Sequence, residues 1–269
     1  ATTEIYTLSL HDALPIYPEY GKNSMLYDRK VHLLRKYENI QLTVFEGRHE
    51  QIPQALSLLP YNHTVTDLKC NILAIGDSNG QNKGGWVDQL KKMMPQSSIV
   101  NLSESGRTIG FDNNGRERLN SLKNIDSYLD KAQIEKKRYD YIIVCLGTND
   151  SKKMFDSRQG EVSENLKALL VKIKKHKLCR GGKTKFIYVT PPPLRDENVS
   201  SKYQDSGKRL ARLVPELETV ALKQGFGVVD IYHPLLGVLD YYAKDGVHMA
   251  ESGQEIVASK ILSNILYQK

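Results

Sequence analysis

The stretch Asn71-Ile-Leu-Ala-Ile-Gly-Asp-Ser-Asn-Gly80 decides how the rest of the chain is read. Four apolar residues, Ile72 to Ile75, run without a polar interruption and stop at a glycine. A strand that is apolar on both faces belongs inside a parallel sheet covered on both sides, whereas a strand with one wet face alternates. The polar group that follows, Asp77-Ser78-Asn79, falls where open α/β sheets keep their ligands, just beyond the carboxyl end of a strand. Gly, Asp, Ser and Asn are also ordinary turn formers, so the stretch alone fits a turn without chemistry equally well. The remainder of the chain separates the two readings.

From residue 68 onward strand and helix patterns alternate. Apolar strand candidates are 70–76, 98–103, 139–147, 184–190 and 225–232, and amphipathic helical stretches fall near 86–94, 115–136, 160–178, 203–224 and 252–267. Strands joined by helix-length connections form right-handed βαβ units in a parallel sheet. Pro191-Pro192-Pro193 ends the fourth strand, because proline cannot donate to the ladder. The expected fold is therefore α/β, a three-layer doubly wound parallel sheet of five strands. Residues 68–269 form that domain, and residues 1–67 form a short N-terminal extension. The extension holds one strand candidate, "IQLTVFEG" (40–47), and "HTVTDLK" (63–69) reads as a linker.

Composition narrows the function. The 269 residues are 40% hydrophobic, enough for a substantial core. No apolar run approaches the roughly 18 residues of a membrane span, and no basic leader precedes an apolar segment. The net charge of +7 comes from lysines scattered along the helical stretches, among them Lys91, Lys92, Lys152, Lys153, Lys172 and Lys174. No aromatic-interleaved basic motif accompanies them, so they read as a solvated surface rather than a nucleic-acid site. Cys145 reads as a buried hydrophobe, while Cys70 and Cys179 are isolated; neither disulfides nor a zinc site is expected.

Chemistry-bearing residues gather at the strand exits. "GDSN" (76–79) follows the first strand, "SESGRT" (103–108) the second and "GTND" (147–150) the third, while "DGVH" (245–248) precedes the last helix. A hydroxyl, a glycine that allows close approach, a neutral amide and an Asp/His pair are the parts of an acyl-transfer site. Three residues of separation let Asp245 turn back onto one nitrogen of His248 and leave the other free for a serine proton. Asn149 can donate an amide proton without bringing charge, and Gly106 offers an unobstructed backbone N–H.

This ordered set resembles the SGNH hydrolases, or GDSL-type esterases, over roughly residues 70–268. The resemblance implies a flavodoxin-like hydrolase fold in which Ser78 is the nucleophile and Asp245 and His248 complete the triad. It assigns the oxyanion hole to the Ser78 N–H, the Gly106 N–H and the Asn149 amide. "GRT", "LGTND" and "VTPPPL" (189–194) resemble the arylesterase and acyltransferase branch. Two departures are Asn79 where leucine is common, and the missing asparagine ahead of Gly106. "GDSNG" also matches the G-x-S-x-G elbow of α/β-hydrolases, but that fold places several strands before its elbow and separates its acid from its histidine.

The expectation is a serine esterase that hydrolyses short acyl esters, acetyl esters of carbohydrates included, with no cofactor and no metal. A family acyltransferase and a non-catalytic flavodoxin-like binding module are the alternatives. The partner is a small ester or acylated saccharide, with no nucleic acid and no membrane. The compartment stays open; a secreted or periplasmic protein lacking its native N-terminus fits.

The remaining signals are weighed as structural. His11, His32, His63 and His176 read as solvated, and His233 as a packing or capping residue near the fifth strand. Asp77 is expected to hydrogen-bond local backbone, and Trp86 either lines the acyl pocket or packs in the core. Residues 28–60 resemble the final strand and histidine loop of an α/β-hydrolase, but the elbow that His49 would serve is missing, so His49 is not expected to react. "YTLSLHDALPI" (6–16) resembles translated sequencing-adapter sequence.

Overall fold

Five strands, β3 (Asn71–Gly76), β4 (Ser98–Asn101), β5 (Tyr141–Cys145), β6 (Lys185–Val189) and β7 (Gly227–Val229), form one sheet in the order β4-β3-β5-β6-β7. Every pairing in it is parallel. This computed structural model describes residues 64–179 and 181–267, together with two short strands, β1 (Ile5–Thr7) and β2 (Val44–Glu46), which pair antiparallel. β2 falls within the strand expected at 40–47. The readings made for His11, His32, His49 and His63 fall outside the described residues, as does the adapter-like segment beyond Thr7.

Alternation along the strands builds two cores. Ile72, Ala74, Ile143, Cys145, Ile187 and Val189 face one side, where α2 (Trp86–Met93) and α8 (Glu251–Tyr267) cover them. Leu73, Ile75, Ile142, Val144 and Tyr188 face the other, under α3 (Ser121–Glu135), α4 (Val162–Lys175) and α5 (Ser206–Lys223). The apolar run that opened the reading is thus buried on both faces. Its larger side chains, Ile72, Leu73 and Ile75, each contribute roughly 1.5–3 kcal/mol by leaving water. Trp86 is buried in the first core rather than lining a pocket.

The segment read as a linker is partly seated on the domain. Val65 N–H donates to Met93 O at 2.8 Å, and Leu68 is buried in the first core. Short elements absent from the periodic reading also appear. α1 (Ser78–Gln81) follows β3, a 3-10 helix spans Lys153–Glu161, and α6 (Tyr232–Leu236) and α7 (Leu239–Tyr242) occupy the connection after β7. The three α-helical pieces are too short for helical periodicity to register, and a 3-10 helix repeats every three residues rather than 3.6.

The strand order reverses at β3, whose neighbours β4 and β5 leave their chains on opposite sides. Open α/β sheets place their crevice at such a reversal. Ile261, fully buried between α8 and the sheet, tests how far stability rests on this layer. Ile261→Ala should cost about 2–4 kcal/mol in urea unfolding. Ile134→Ser, at an 85% exposed position, should change stability by less than about 0.5 kcal/mol.

Candidate active site

Ser78 stands at the first position of α1, directly beyond β3, and its side chain is buried. Asp77 caps this turn, its carboxylate accepting from Asn79 N–H at 2.9 Å. Burial raises the Asp77 pKa, and the Asn79 bonds and the nearby His248 only partly offset it. Asp77 therefore acts on local backbone, as its position in the sequence suggested.

The Asp245–His248 loop reaches the same turn. Asn79 Oδ1 accepts from Met249 N–H at 3.3 Å and from Gln254 Nε2 at 2.7 Å, which joins the residue after Ser78 to the residue after His248. Within the loop, Asp245 Oδ1 accepts from the N–H groups of Val247 and His248, at 2.9 and 2.7 Å, while Oδ2 lies 2.8 Å from His248 Nδ1. Burial opposes charge on Asp245, but the His248 and Val247 hydrogen bonds outweigh it and hold the carboxyl below its ordinary value. Gly246 makes the turn possible. Its φ is +74°, and a Cβ there would stand 2.7 Å from Arg195 Cβ.

Asn149 is fixed from both ends. Its Nδ2 donates to Arg107 O at 3.0 Å, and its Oδ1 accepts from Tyr203 OH at 2.9 Å. An amide so held cannot flip, and one Nδ2 hydrogen is left for a ligand. Gly106, at φ +83°, has its carbonyl bound by Asn113 Nδ2 at 2.6 Å. A Cβ at Gly106 would meet that nitrogen at 3.0 Å. The loop carrying Gly106 is tied to the β5 exit through Asp150, whose carboxylate accepts from Ile109 N–H at 2.9 Å and, at 3.4 Å, from Gly110 N–H. Arg107 turns inward over the Tyr128 ring and pairs with Glu104 at 3.0 Å. This loop is thus well defined despite the asparagine it lacks.

The four motifs read from sequence therefore converge on one edge of the sheet. Tyr203, Asn113, Lys152 and Gln254 were not anticipated. Tyr203 lies 54 positions from its partner Asn149, and no local pattern marks it. Lys152, read as solvated, is buried: it is the second residue past "GTND", at the junction of two 3-10 turns, and its stem points inward. His176 is also less solvated than expected, since its Nδ1 accepts from Leu178 N–H and its side chain is 9% exposed.

The second Asp-x-x-His of the chain, Asp230–His233, repeats the first almost bond for bond. Asp230 Oδ1 accepts from Tyr232 N–H and His233 N–H, and Oδ2 lies 3.0 Å from His233 Nδ1. Its neighbours differ. Glu218, Asp230 and His233 bring one ligand atom each within 4.8 Å, a grouping the sequence gave no sign of and the one such group among the described residues. Exposed acidic groups commonly gather in this way without an ion.

The doubly wound sheet, with the Ser78 turn and the Asp245–His248 loop docked together at its edge, belongs to a carboxylic ester hydrolase. The profile of the GDSL-like lipase/acylhydrolase family matches residues 73–256, and the chain belongs to that family. No curated protein matches it. Similar solved structures include a carbohydrate acetylesterase family member from Sinorhizobium meliloti, 18% identical, with a TM-score of 0.61 over 74% of this chain and 97% of that one. The native aryl esterase of M. smegmatis is 19% identical, with a TM-score of 0.60 over 74% and 98%. A lipase/acylhydrolase from Enterococcus faecalis is 19% identical, with a TM-score of 0.57 over 74% and 96%. At these identities the likeness is one of fold.

Asp150 makes the electrostatic cost of the site measurable. Burial raises its pKa from 3.8 to about 7, against the pull of the Ile109 and Gly110 N–H groups. The folded state then binds more protons than the unfolded one between those values, so this group's stabilising contribution is complete below about pH 4 and is lost as pH rises toward 7. Asp150→Asn should remove a slope of at most about 1.4 kcal/mol per pH unit from that window. Urea unfolding of both proteins from pH 4.5 to 7 should show the mutant gaining relative to wild type as pH rises. A constant difference would contradict the assignment.

Proposed function

We propose that the protein hydrolyses short acyl esters, acetyl esters of carbohydrates among them, through a Ser78–His248–Asp245 triad. The observation that carries this reading is the docking of the Asp245–His248 loop onto the Ser78 turn through Asn79, Met249 and Gln254. Acetyl and carbohydrate specificity is supported by what the Sinorhizobium meliloti neighbour is called, together with the resemblance of "LGTND" and "VTPPPL" to the arylesterase branch.

In this mechanism Ser78 Oγ attacks the ester carbonyl carbon while His248 Nε2 takes the hydroxyl proton. Asp245, bound to Nδ1, holds the ring in the tautomer that leaves Nε2 free and stabilises the imidazolium that forms. The carbonyl oxygen becomes an oxyanion facing Ser78 N–H, Gly106 N–H and the free Nδ2 hydrogen of Asn149. Collapse expels the alcohol, which leaves with the proton from His248. Water, deprotonated by the same imidazole, then releases the acid from the acyl-enzyme.

Hydrolysis of p-nitrophenyl acetate tests the roles. Ser78→Ala and His248→Ala should each lower kcat by a factor on the order of 10⁴. His233→Ala, whose ring sits in the same local hydrogen-bond pattern but faces Glu218, should stay within about twofold of wild type. An equal loss in both histidine variants would overturn the assignment. Asn149→Ala should lower kcat by roughly 10²–10³ with KM nearly unchanged, because the amide meets charge present only in the transition state. A fluorophosphonate should add a single label, and peptide mapping should locate it on Ser78.

A further inference from the structure

We propose that Lys152 is a positioning residue for acyl transfer, its ammonium holding the two oxyanion donors in place through Asn113 and Tyr203. The inference rests on the reading of Gly106 and Asn149 given above. Lys152 Nζ donates to Asn113 Oδ1 at 3.1 Å, and Asn113 Nδ2 donates to Gly106 O at 2.6 Å. The same ammonium lies 5.3 Å from the centre of the Tyr203 ring, whose hydroxyl donates to Asn149 Oδ1 at 2.9 Å. One buried cation thus touches both relays.

The chemistry of an amide explains why a cation is needed. Asn113 can turn its side chain by half a rotation with little change in shape, which would set Oδ1 against the Gly106 carbonyl. Lys152 has only donors to offer, so it accepts one orientation and penalises the other. With Asn113 fixed, the peptide plane after Gly106 is held at both ends, since Arg107 N–H donates to Glu104 O at 3.1 Å. The Gly106 N–H is then carried on an anchored plane and can move only through the φ and ψ of Gly106 itself. On the second relay, the ammonium sits within the range of a cation–π contact with Tyr203 and helps to keep that ring under Asn149.

A merely structural lysine would be expected to pair with a carboxylate. Among the described residues none forms an ion pair with Lys152; Asp77 and Asp150 favour its charge only from longer range. Burial lowers the Lys152 pKa to about 8, and Lys202, whose Nζ lies 5.4 Å from the Tyr203 ring centre, pushes in the same direction. The cation is therefore lost as pH rises through about 8, and activity should acquire an alkaline limb there.

The test is steady-state p-nitrophenyl acetate hydrolysis from pH 6.5 to 10, using the full chain and recording a melting temperature for every variant. Lys152→Met should lower kcat about 10- to 100-fold, with KM within about threefold and the melting temperature little changed, and should abolish the alkaline limb. Lys152→Arg keeps a charge that does not titrate in this range; it should recover much of kcat and move the limb beyond pH 10. Asn113→Leu combined with Lys152→Met should be no worse than the poorer single variant, because the two act in one relay. Wild-type kcat with an intact limb in Lys152→Met would overturn the proposal. So would a limb that stays near pH 8 in Lys152→Arg, which decides the matter even if the methionine variant does not fold. Asn149→Ala run alongside separates the two levels. If it raises KM at constant kcat, the oxyanion reading itself fails; if it lowers kcat while Lys152→Met is silent, only the role of Lys152 fails.

Discussion

The carboxylate of Asp150 is the constraint on which the geometry of the site depends. It is buried at the exit of β5 and takes the N–H groups of Ile109 and Gly110 from the loop that leaves β4. These two strands lie on either side of β3, so the bond spans the crevice where the strand order reverses. Because Asp150 follows Asn149 directly, anchoring one sets the other, and Asn149 Nδ2 meets Arg107 O on the same loop. Asn79 performs a similar task on the other flank, tying the end of β3 to the start of α8. Few residues are involved, and each joins segments that are distant in sequence.

The two Asp-x-x-His segments show why a local motif does not by itself confer a role. Both carboxylates accept from two backbone N–H groups with one oxygen and face the histidine Nδ1 with the other. What differs is placement. Asp230 continues directly from β7 into α6 and faces Glu218 on α5, whose own carboxyl is raised by burial and then by Asp230. Asp245 lies in a loop bent by Gly246 and seated beside Arg195, so its histidine is carried back toward Ser78. The turn fixes which ring nitrogen of each histidine faces its carboxylate; the seat decides what the other nitrogen faces.

The architecture was legible in the sequence because it depends on short-range patterns. Ile72 to Ile75 announced a strand covered on both faces, and helix-length spacing announced parallel connections. That the four motif segments would meet at one edge was legible for a related reason, since loops at the carboxyl ends of such strands converge. Lys152 and His176 were misplaced because a lysine or histidine among polar neighbours carries no local sign of burial; an inward turn of the chain decides it. Tyr203 and Gln254 were invisible because their partners, Asn149 and Asn79, are 54 and 175 positions away. The regular elements are written locally, while the orientation of the site is written in pairs.

Those pairs carry a cost whose direction is consistent. Burial raises the pKa of Asp77 and Asp150 and lowers that of Lys152 and Arg107, so at each of the four the surroundings disfavour the charged form. A site assembled for stability alone would replace such groups with apolar ones, which commonly stabilise a buried position. The aliphatic layers on both faces of the sheet supply the surplus that lets the charges remain. In return, the Gly106 loop and the Asn149 amide are each held in one orientation, which on the proposed mechanism leaves little reorganisation for the moment of reaction. On the proposed mechanism, the charged and polar side chains that burial penalises are the ones that orient the donors, so their retention is explained by turnover rather than by stability.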